Sequence, residues 1–384
     1  MGLSYGKQHP SSPWPDLPLE LAGLVLCRLL SHADRLSFMS VCRPWRLAGQ
    51  HHRPLPPALP WLLHLHDRFF QSLDGGGELR LFLKLAKDAH KSSSPRYLDC
   101  FGSWLFIARF NDGGSGTRFL INPSTGRTIR VPELRFRSGC TSPRKMIVCS
   151  PDHDLVAASS YDSSEVAFYR RGDVSWSVHP STSSSQLGRY ADMAFHRGKL
   201  YVLTTKEDLL VQGVADDAAA AAATGVSRAC RRVIKGRKDQ VATRLYLIAA
   251  TCGKLLMVKI ICRIGSSSLD QASCNKFVEN VVFKVLEADL VTGRWLEVKA
   301  LDCGQALFVG RGGSKAVTLT GHDDIFQGNR VYFTGDDLAL CLPLGKDVPS
   351  YGFYDLTSGT FGQVFLKTKG YSGMYRSQWF SHCT

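Results

Sequence analysis

One phrase recurs through the later two-thirds of this chain and limits its fold more than any other feature. Asn122-Pro-Ser-Thr-Gly126-Arg leads into Thr128-Ile-Arg-Val131, and Asp289-Leu-Val-Thr-Gly293-Arg leads into Trp295-Leu-Glu-Val298. Asp355-Leu-Thr-Ser-Gly359-Thr leads into Phe361-Gly-Gln-Val364, and a looser copy runs from Tyr169 through Gly172 to Val178. Each predicts a strand, a tight turn and a second strand, with glycine supplying the positive φ that a hairpin turn often needs. Gly126 and Gly172 stand 46 positions apart, Gly293 and Gly359 66, and the gap between Gly172 and Gly293 is 121. A period near fifty with about four short strands per unit predicts a propeller. From about residue 100 onward the chain alternates in short runs punctuated by turns, and five or six blades fit residues 95–384.

The first fifty residues have another texture. Leu17-Pro18 opens a helix whose Leu21, Leu24, Val25, Leu26, Leu29 and Leu30 spread over most of a helical wheel, leaving Glu20, Gly23 and Cys27 in one narrow sector. A helix that is apolar nearly all round must be covered on several sides. About thirty-five residues cannot supply that cover alone, so the segment needs a partner, either the rest of this chain or another protein. A short polar break leads to Val41-Cys42-Arg43-Pro44-Trp45-Arg46. Pro44 is acceptable in the first turn of a helix, where its missing N–H would have no partner anyway.

Residues 14–48 resemble an F-box. The family pattern of Leu-Pro-x-Glu-Leu, spaced aliphatics, Asp-x-Leu and Val-Cys-x-x-Trp is met by Leu17, Pro18, Glu20, Leu21, the run Leu24–Leu30, Asp34 with Leu36, and Val41, Cys42 and Trp45. Two departures are Ala22, where a larger aliphatic is common, and Pro44, where a basic residue is usual. The resemblance implies docking onto the Skp-type adaptor of a cullin–RING ubiquitin ligase. The adaptor-binding residues it implies are Leu17, Pro18, Leu21, Leu24, Val25, Leu29, Leu36, Val41, Cys42 and Trp45.

Composition is that of an ordinary globular protein, with 44% hydrophobic and 21% charged residues. A chain of 384 residues suggests two domains. No signal peptide is expected, because the first apolar run carries Arg28 and lacks a basic flank. The most apolar later stretch, Leu245–Ile264, contains Lys254, Lys259 and Arg263, each costly inside a bilayer, and is not expected to span one. Twelve scattered cysteines with no C-x-x-C pair point to a reducing compartment, with Cys149, Cys252 and Cys262 acting as small hydrophobes in strand-like runs. The expected location is nucleus and/or cytoplasm.

The net charge is +14, and residues 228–244 hold seven Lys/Arg against one Asp. With Asp216-Asp217 and the alanines at 218–223, residues 215–243 read as a low-complexity basic insertion in a solvated loop. A nuclear-localisation or nucleic-acid role is the alternative. No aromatics interleave with the basic residues, so nucleic acid is not the expected partner.

Chemistry-bearing sets are sparse. There is no Gly-x-Ser-x-Gly elbow, and Gly75-Gly-Gly77 and Gly310-Arg-Gly-Gly313 form neither a phosphate loop nor a dinucleotide fingerprint. Gly113-Gly-Ser-Gly116 reads as a hairpin tip. His64-x-His66 and Asp152-His153-Asp154 are the only close metal-ligand sets, and no metal or cofactor is expected. His196 reads as a structural turn histidine, and Gly321-His-Asp-Asp324 as a loop. Loop aromatics and arginines, the types enriched at binding hot spots, are Arg189-Tyr190, Arg311 and the stretch Tyr371 to Trp379.

A second resemblance covers about 270 residues. Gly102-Ser-Trp104-Leu, Leu120-Ile-Asn-Pro123, Lys145-Met-Ile-Val-Cys-Ser150 and Asp192–Tyr201 resemble the plant F-box-associated family called domain of unknown function 295. So do Ala306-Leu-Phe-Val-Gly310, Gly328–Phe333 and Gly352-Phe-Tyr-Asp-Leu356, in the same order. The resemblance implies a kelch-like architecture. The expected fold is therefore α+β multidomain: a small all-α F-box module followed by an all-β kelch-like propeller. Residues 1–13 are read as a disordered N-terminus, 14–53 as the F-box, 54–94 as a proline-rich linker and docking segment, and 95–384 as the propeller. The expected function is a non-catalytic substrate receptor of an SCF-type ligase, contacting cullin through the adaptor and holding an unidentified protein target. The alternatives are a propeller tethered to the adaptor without turnover, and a glycan- or nucleotide-processing propeller enzyme with a coincidental helical hairpin.

Overall fold

A computed structural model describes residues 14–52, 55–65, 69–72, 80–82, 97–110, 116–150, 155–160, 164–180, 188–212, 230–236, 244–250, 252–262, 281–302, 304–319, 326–334, 351–363 and 377–381. The chain divides into two compact units, one ending at Leu59 and one running from Pro60 to Cys383. The expected disordered stretch 1–13, Gly75–Gly77, Gly113–Ser115, Asp152–Asp154 and Gly321–Asp324 lie outside the described residues, as does most of 215–243.

The first unit is helical: α1 (Leu19–Arg28), α2 (His32–Val41) and α3 (Arg43–His51). Pro18 stands at the N-cap of α1, Ser31 Oγ caps α2 by accepting the Asp34 amide at 3.3 Å, and Pro44 lies in the first turn of α3. The core is small: Ala22, Leu26, Phe38 and Ala48, with Leu17, Leu19, Leu29, Met39, Trp45 and Leu55 against it. Close helix packing depends on two glycines. A Cβ on Gly23 would sit 2.1 Å from the His52 ring, and one on Gly49 would sit 2.7 Å from Met39 Sδ. The sector of α1 that holds Gly23 is thus an inner face, not the polar one that the wheel suggests. Arg35 is buried and donates to the carbonyls of Leu29 (2.7 Å) and Pro56 (2.6 Å), and burial lowers its pKa from the usual arginine value. With Leu59 N–H donating to Leu30 O, this ties residues 55–59 to the helices.

The second unit is a six-bladed β-propeller. Blade 2 is Tyr97–Phe101, Trp104–Phe110, Gly116–Ile121 and Thr128–Val131. Blade 3 is Pro143–Ser150, Leu155–Ser160, Glu165–Tyr169 and Ser177–Pro180, and blade 4 is Tyr190–His196, Lys199–Thr204, Leu209–Gln212 and Arg231–Ile234. Blade 5 is Arg244–Ala249, Leu255–Cys262, Val281–Asp289 and Arg294–Val298. Blade 6 has five strands: Gln305–Val309 lies between Lys315–Thr318 and a parallel partner, Arg330–Thr334, and Tyr351–Asp355 and Phe361–Gln363 follow.

Blade 1 closes the ring and corrects the expected boundary. Trp61–His64, Phe69–Gln71 and Arg80–Phe82 pair in one sheet with the C-terminal strand Ser377–Phe380, Trp61 opposite Phe380. The propeller therefore begins near residue 60, and the linker read over 54–94 is split between the two units. Apolar Trp61-Leu62-Leu63 is buried because it is an interior strand of this sheet, between Ser377–Phe380 and Phe69–Gln71, not because it docks from outside. The insertion read over 215–243 is likewise interrupted, since Arg231–Ile234 is the outer strand of blade 4.

The inner and second strands of a blade are covered on both faces, which explains their nearly unbroken apolar runs. Val156 and Ala158 face blade 2 while Leu155 and Ala157 face blade 4. Leu245 and Leu247 pack toward blade 4, Tyr246 and Ile248 toward blade 6. Three tryptophans staple neighbouring blades: Trp176 Nε1 donates to Pro132 O, Trp295 Nε1 to Glu207 O and Trp379 Nε1 to Val309 O, at 2.8–2.9 Å. The repeated turns have one geometry. Gly126, Gly293 and Gly359 all have φ near +70°. Each donates its amide to the carbonyl of Asn122, Asp289 or Asp355, whose side chain also accepts two turn amides.

Candidate docking face and propeller channel

The ten residues that the F-box resemblance singles out fall into two sets. Leu17, Leu29, Cys42 and Trp45 are half-buried. Trp45 stacks on Phe38 with ring centroids 4.3 Å apart and donates from Nε1 to Trp14 O at 3.1 Å. Leu17, Leu29 and Trp45 pack against the module's core. Pro18, Leu21, Leu24, Val25, Leu36 and Val41 are exposed. Leu21 is 49% exposed, Leu24 51%, Val25 43%, Leu36 49% and Val41 63%. The apolar positions of α1 thus divide into Ala22 and Leu26 inward and Leu21, Leu24 and Val25 outward, and α2 exposes Leu36 and Val41 as well.

The propeller has a cavity of about 320 Å³ where the inner strands converge, bordered by Phe101, Trp104, Met146, Met193, Leu247 and Ser314. Lys145, also on its wall, is buried and pairs with Asp192 at 2.5 Å. Asp192 accepts the amides of Met193 and Leu247 as well, so one carboxylate joins blades 3, 4 and 5. Lys259 pairs with Glu207, and Arg311 with Asp99 at 3.5 Å.

The hot-spot residues read from the sequence are largely structural. Tyr190 and Trp379 are buried core residues, and Arg311 is committed to Asp99. Aromatic character alone did not distinguish loop from strand at these places. Residues 371–376 lie outside the described residues, and Arg189 is exposed. His196 ends the inner strand of blade 4 before a two-residue turn in which Arg197 (φ 48°) and Gly198 (φ 75°) are both left-handed. Burial, with the charge of Arg197, lowers its pKa from the usual histidine value. His64 Nε2 contacts Gln71 Oε1 at 2.9 Å, and His66 lies outside the described residues. Among the described residues no group of three His, Cys, Asp or Glu could hold a metal, and no helix is long and apolar enough to cross a membrane. Cys149 is buried, which pushes its thiol up to about 12, but Cys252 sits exposed in a turn rather than in a strand.

A family model described as the KIB1-4 beta-propeller matches residues 70–355. The chain belongs to this family. The match leaves out residues 14–53 and gives the propeller its family by sequence as well as by shape. No curated protein matches the chain. Among solved structures it is similar to a Bacteroides fragilis protein assigned as a 6-phosphogluconolactonase, at 14% identity and TM-score 0.29, covering 56% of each chain. It is also similar to YCF48 bound to D1 peptide, at 13% identity and TM-score 0.30, covering 63% of this chain and 86% of that one. A third is the α-L-arabinofuranosidase PaAbf62A of Podospora anserina, at 12% identity and TM-score 0.28, covering 56% and 71%. The chain spans little more than half the length of the first of these, and likenesses at this level carry no argument about its chemistry.

Proposed function

We propose that this protein is the substrate-receptor subunit of an SCF-type cullin–RING ubiquitin ligase, working in the nucleus and/or cytoplasm. The helical module docks on a Skp-type adaptor, and the propeller holds a protein target. The observation that carries this reading is the outward apolar set Leu21, Leu24, Val25, Leu36 and Val41, on a module whose own core is only a few side chains deep. The match of that segment to the F-box pattern names the adaptor, and a propeller of an interaction-type fold supplies the second binding element. The receptor forms no covalent bond in this scheme. It raises the effective concentration of a target lysine beside the charged conjugating enzyme.

The test is co-purification of the intact chain with Skp adaptor, comparing wild type with Leu21→Asp/Leu24→Asp. Each fully buried leucine contributes about 1.5–3 kcal/mol to an interface, and about 1.4 kcal/mol is tenfold in affinity. The double change should abolish capture while the propeller's thermal transition stays in place. Wild-type capture by the double variant would defeat the reading. A target whose half-life is unaffected by proteasome inhibition would leave the tether without turnover.

A further inference from the structure

In blade 4 the start of the inner strand at Tyr190, the turn at Thr205–Asp208 and the end of the outer strand at Ile234 lie at one end of the sheet, because Tyr190 opposes Thr204, Leu203 opposes Leu209, and Leu209 opposes Ile234. The loop after blade 2 reaches the same face. Arg137 N–H donates to Glu165 at the start of a blade 3 strand, and Ser164 Oγ donates to Gly188 O. Thr205 N–H donates to Arg189 O at 2.7 Å, and Gly236 N–H donates to Asp208 at 3.0 Å. Gly236 lies so close to Lys206 that a Cβ there would sit 1.8 Å from the Lys206 carbonyl. These contacts form a continuous ledge across blades 3 and 4. It carries exposed Arg135, Arg137, Arg189, Lys206 and Lys235.

Among the described residues, the acidic groups on this ledge face inward or are already matched. Glu207 is buried on Lys259, and Asp208 pairs with Arg232 at 3.6 Å. Glu165 is 8% exposed and pairs with Arg137, whose own side chain is 66% exposed. Glu133 is shared by Arg118 and Arg135, and these contacts, that of Arg135 first, hold its carboxyl below the usual range. Among the described residues, exposed Arg135, Arg137, Arg189, Lys206, Arg232 and Lys235 outnumber the ledge's carboxylates Glu133, Glu165, Glu207 and Asp208, so the ledge presents a positive field to solvent. Among the described residues the ledge's aromatics, Phe136 and Tyr190, are buried and offer no stacking surface of the kind a single-stranded nucleic acid would use.

We propose that this ledge is the target-recognition surface and that it takes an acidic segment of a partner protein. The proposal rests on the protein-binding reading of the propeller and names the chemistry of what it binds. The intact chain would be titrated with fluorescent decaglutamate, with decaglutamine, and with an oligothymidine of matched charge. The same titrations would use R189E/K206E/K235E, and a control reversal on the opposite face of the ring, R171E/K199E/R294E. Decaglutamate should bind, weaken as NaCl rises from about 50 to about 200 mM, and lose about tenfold or more in affinity with the ledge reversal. The control reversal should stay within about twofold. Equal losses for the two reversals would mean that only the bulk charge acts, and absence of decaglutamate binding would overturn the proposal outright. Tighter oligothymidine binding lost with the same ledge residues would replace it with a nucleic-acid surface. If the reversed ledge fails to fold, R189Q/K206Q/K235Q should show a smaller loss in the same direction, and no loss there counts against the ledge. Adaptor capture by the ledge variants should be unchanged. Failure of adaptor capture in the wild type would remove the ligase reading while leaving peptide binding intact.

Discussion

The helical module and the propeller treat their large apolar side chains in opposite ways. Of the ten large hydrophobics exposed among the described residues, six belong to the module: Trp14, Leu21, Leu24, Val25, Leu36 and Val41. The propeller's four, Val174, Leu290, Val291 and Leu296, sit in or beside outer turns. The difference is one of closure. A ring of blades gives each sheet two neighbours, so both faces of an inner strand are covered. Three helices of nine or ten residues have no second layer, and half of α1 remains outside. The propeller's large apolar side chains are covered within the ring, whereas the module leaves several of its own exposed.

Breaking the ring should therefore cost far more than removing the module. A 60–384 fragment is expected to melt cooperatively near the temperature of the full chain. A 95–384 fragment lacks the three N-terminal strands of blade 1 and leaves Trp379 and Phe380, 4% and 1% exposed, without their sheet partner. Losing Trp61, Leu62, Leu63 and Phe70 removes buried groups contributing about 1.5–3 kcal/mol each, comparable to a whole domain's stability of about 5–15 kcal/mol. Differential scanning calorimetry should show no cooperative transition for 95–384. A sharp transition there would mean that five blades close without the sixth.

Within the module the same comparison holds between two positions of one turn of α1. Leu26 is fully buried and Leu24 is 51% exposed. Leu26→Ala should cost about 2–5 kcal/mol and accelerate hydrogen exchange of the α1 and α3 amides in the full chain. Leu24→Ala should stay within about 0.5 kcal/mol. Equal protection losses would show that Leu24 is covered in solution and not free to dock.

The sequence revealed the repeated turns because their chemistry is local. Asn122, Asp289 and Asp355 cap the turn, and the glycine four residues on supplies the left-handed backbone; all three places carry that geometry. The start of the ring was hidden because the partner of Trp61–His64 lies more than three hundred residues away, at Ser377–Phe380. No window of sequence holds both. Arg231–Ile234 was hidden for a different reason: an outer strand with two exposed arginines has the composition of a loop, and only its pairing with Leu209–Val211 makes it a strand. On the helical module, periodicity showed that α1 is apolar on too many sides. It did not show which side turns inward, because Gly23 packs through its lack of a side chain against His52.

A smaller effect tests whether the turns contribute through backbone conformation alone. Gly126 has φ +72° with open space where a Cβ would stand, whereas a Cβ on Gly312 would lie 2.0 Å from Cys100 O. Gly126→Ala should cost about 1–2 kcal/mol, the penalty of a left-handed backbone with a side chain. Gly312→Ala should cost more, because the inner strand of blade 2 must move. Chemical denaturation that ranks them in reverse would remove the conformational account of the repeat.

The smallest expected effect separates the turns from one another by pH. Asp289 accepts the Thr292 hydroxyl and the amides of Thr292 and Val291, and these bonds hold its carboxyl below the usual range. For Asp355 burial acts upward, but the Ser358 amide, the Arg330 guanidinium and the Thr357 amide together keep it low. A carboxyl whose folded pKa lies below its unfolded value, about 3.9, binds fewer protons when folded. Its contribution is thus present above that pH and is lost as pH falls through the folded value. Asn122 fills the same turn position without titrating. An Asp289→Asn/Asp355→Asn variant should keep its turns, since an amide oxygen accepts the same backbone N–H groups. It should melt slightly lower than wild type near pH 7, where the charged acceptors are stronger. Between about pH 5 and about pH 3 its melting temperature should fall by less than that of the wild type. Equal falls would mean that the turn carboxylates add nothing to acid sensitivity.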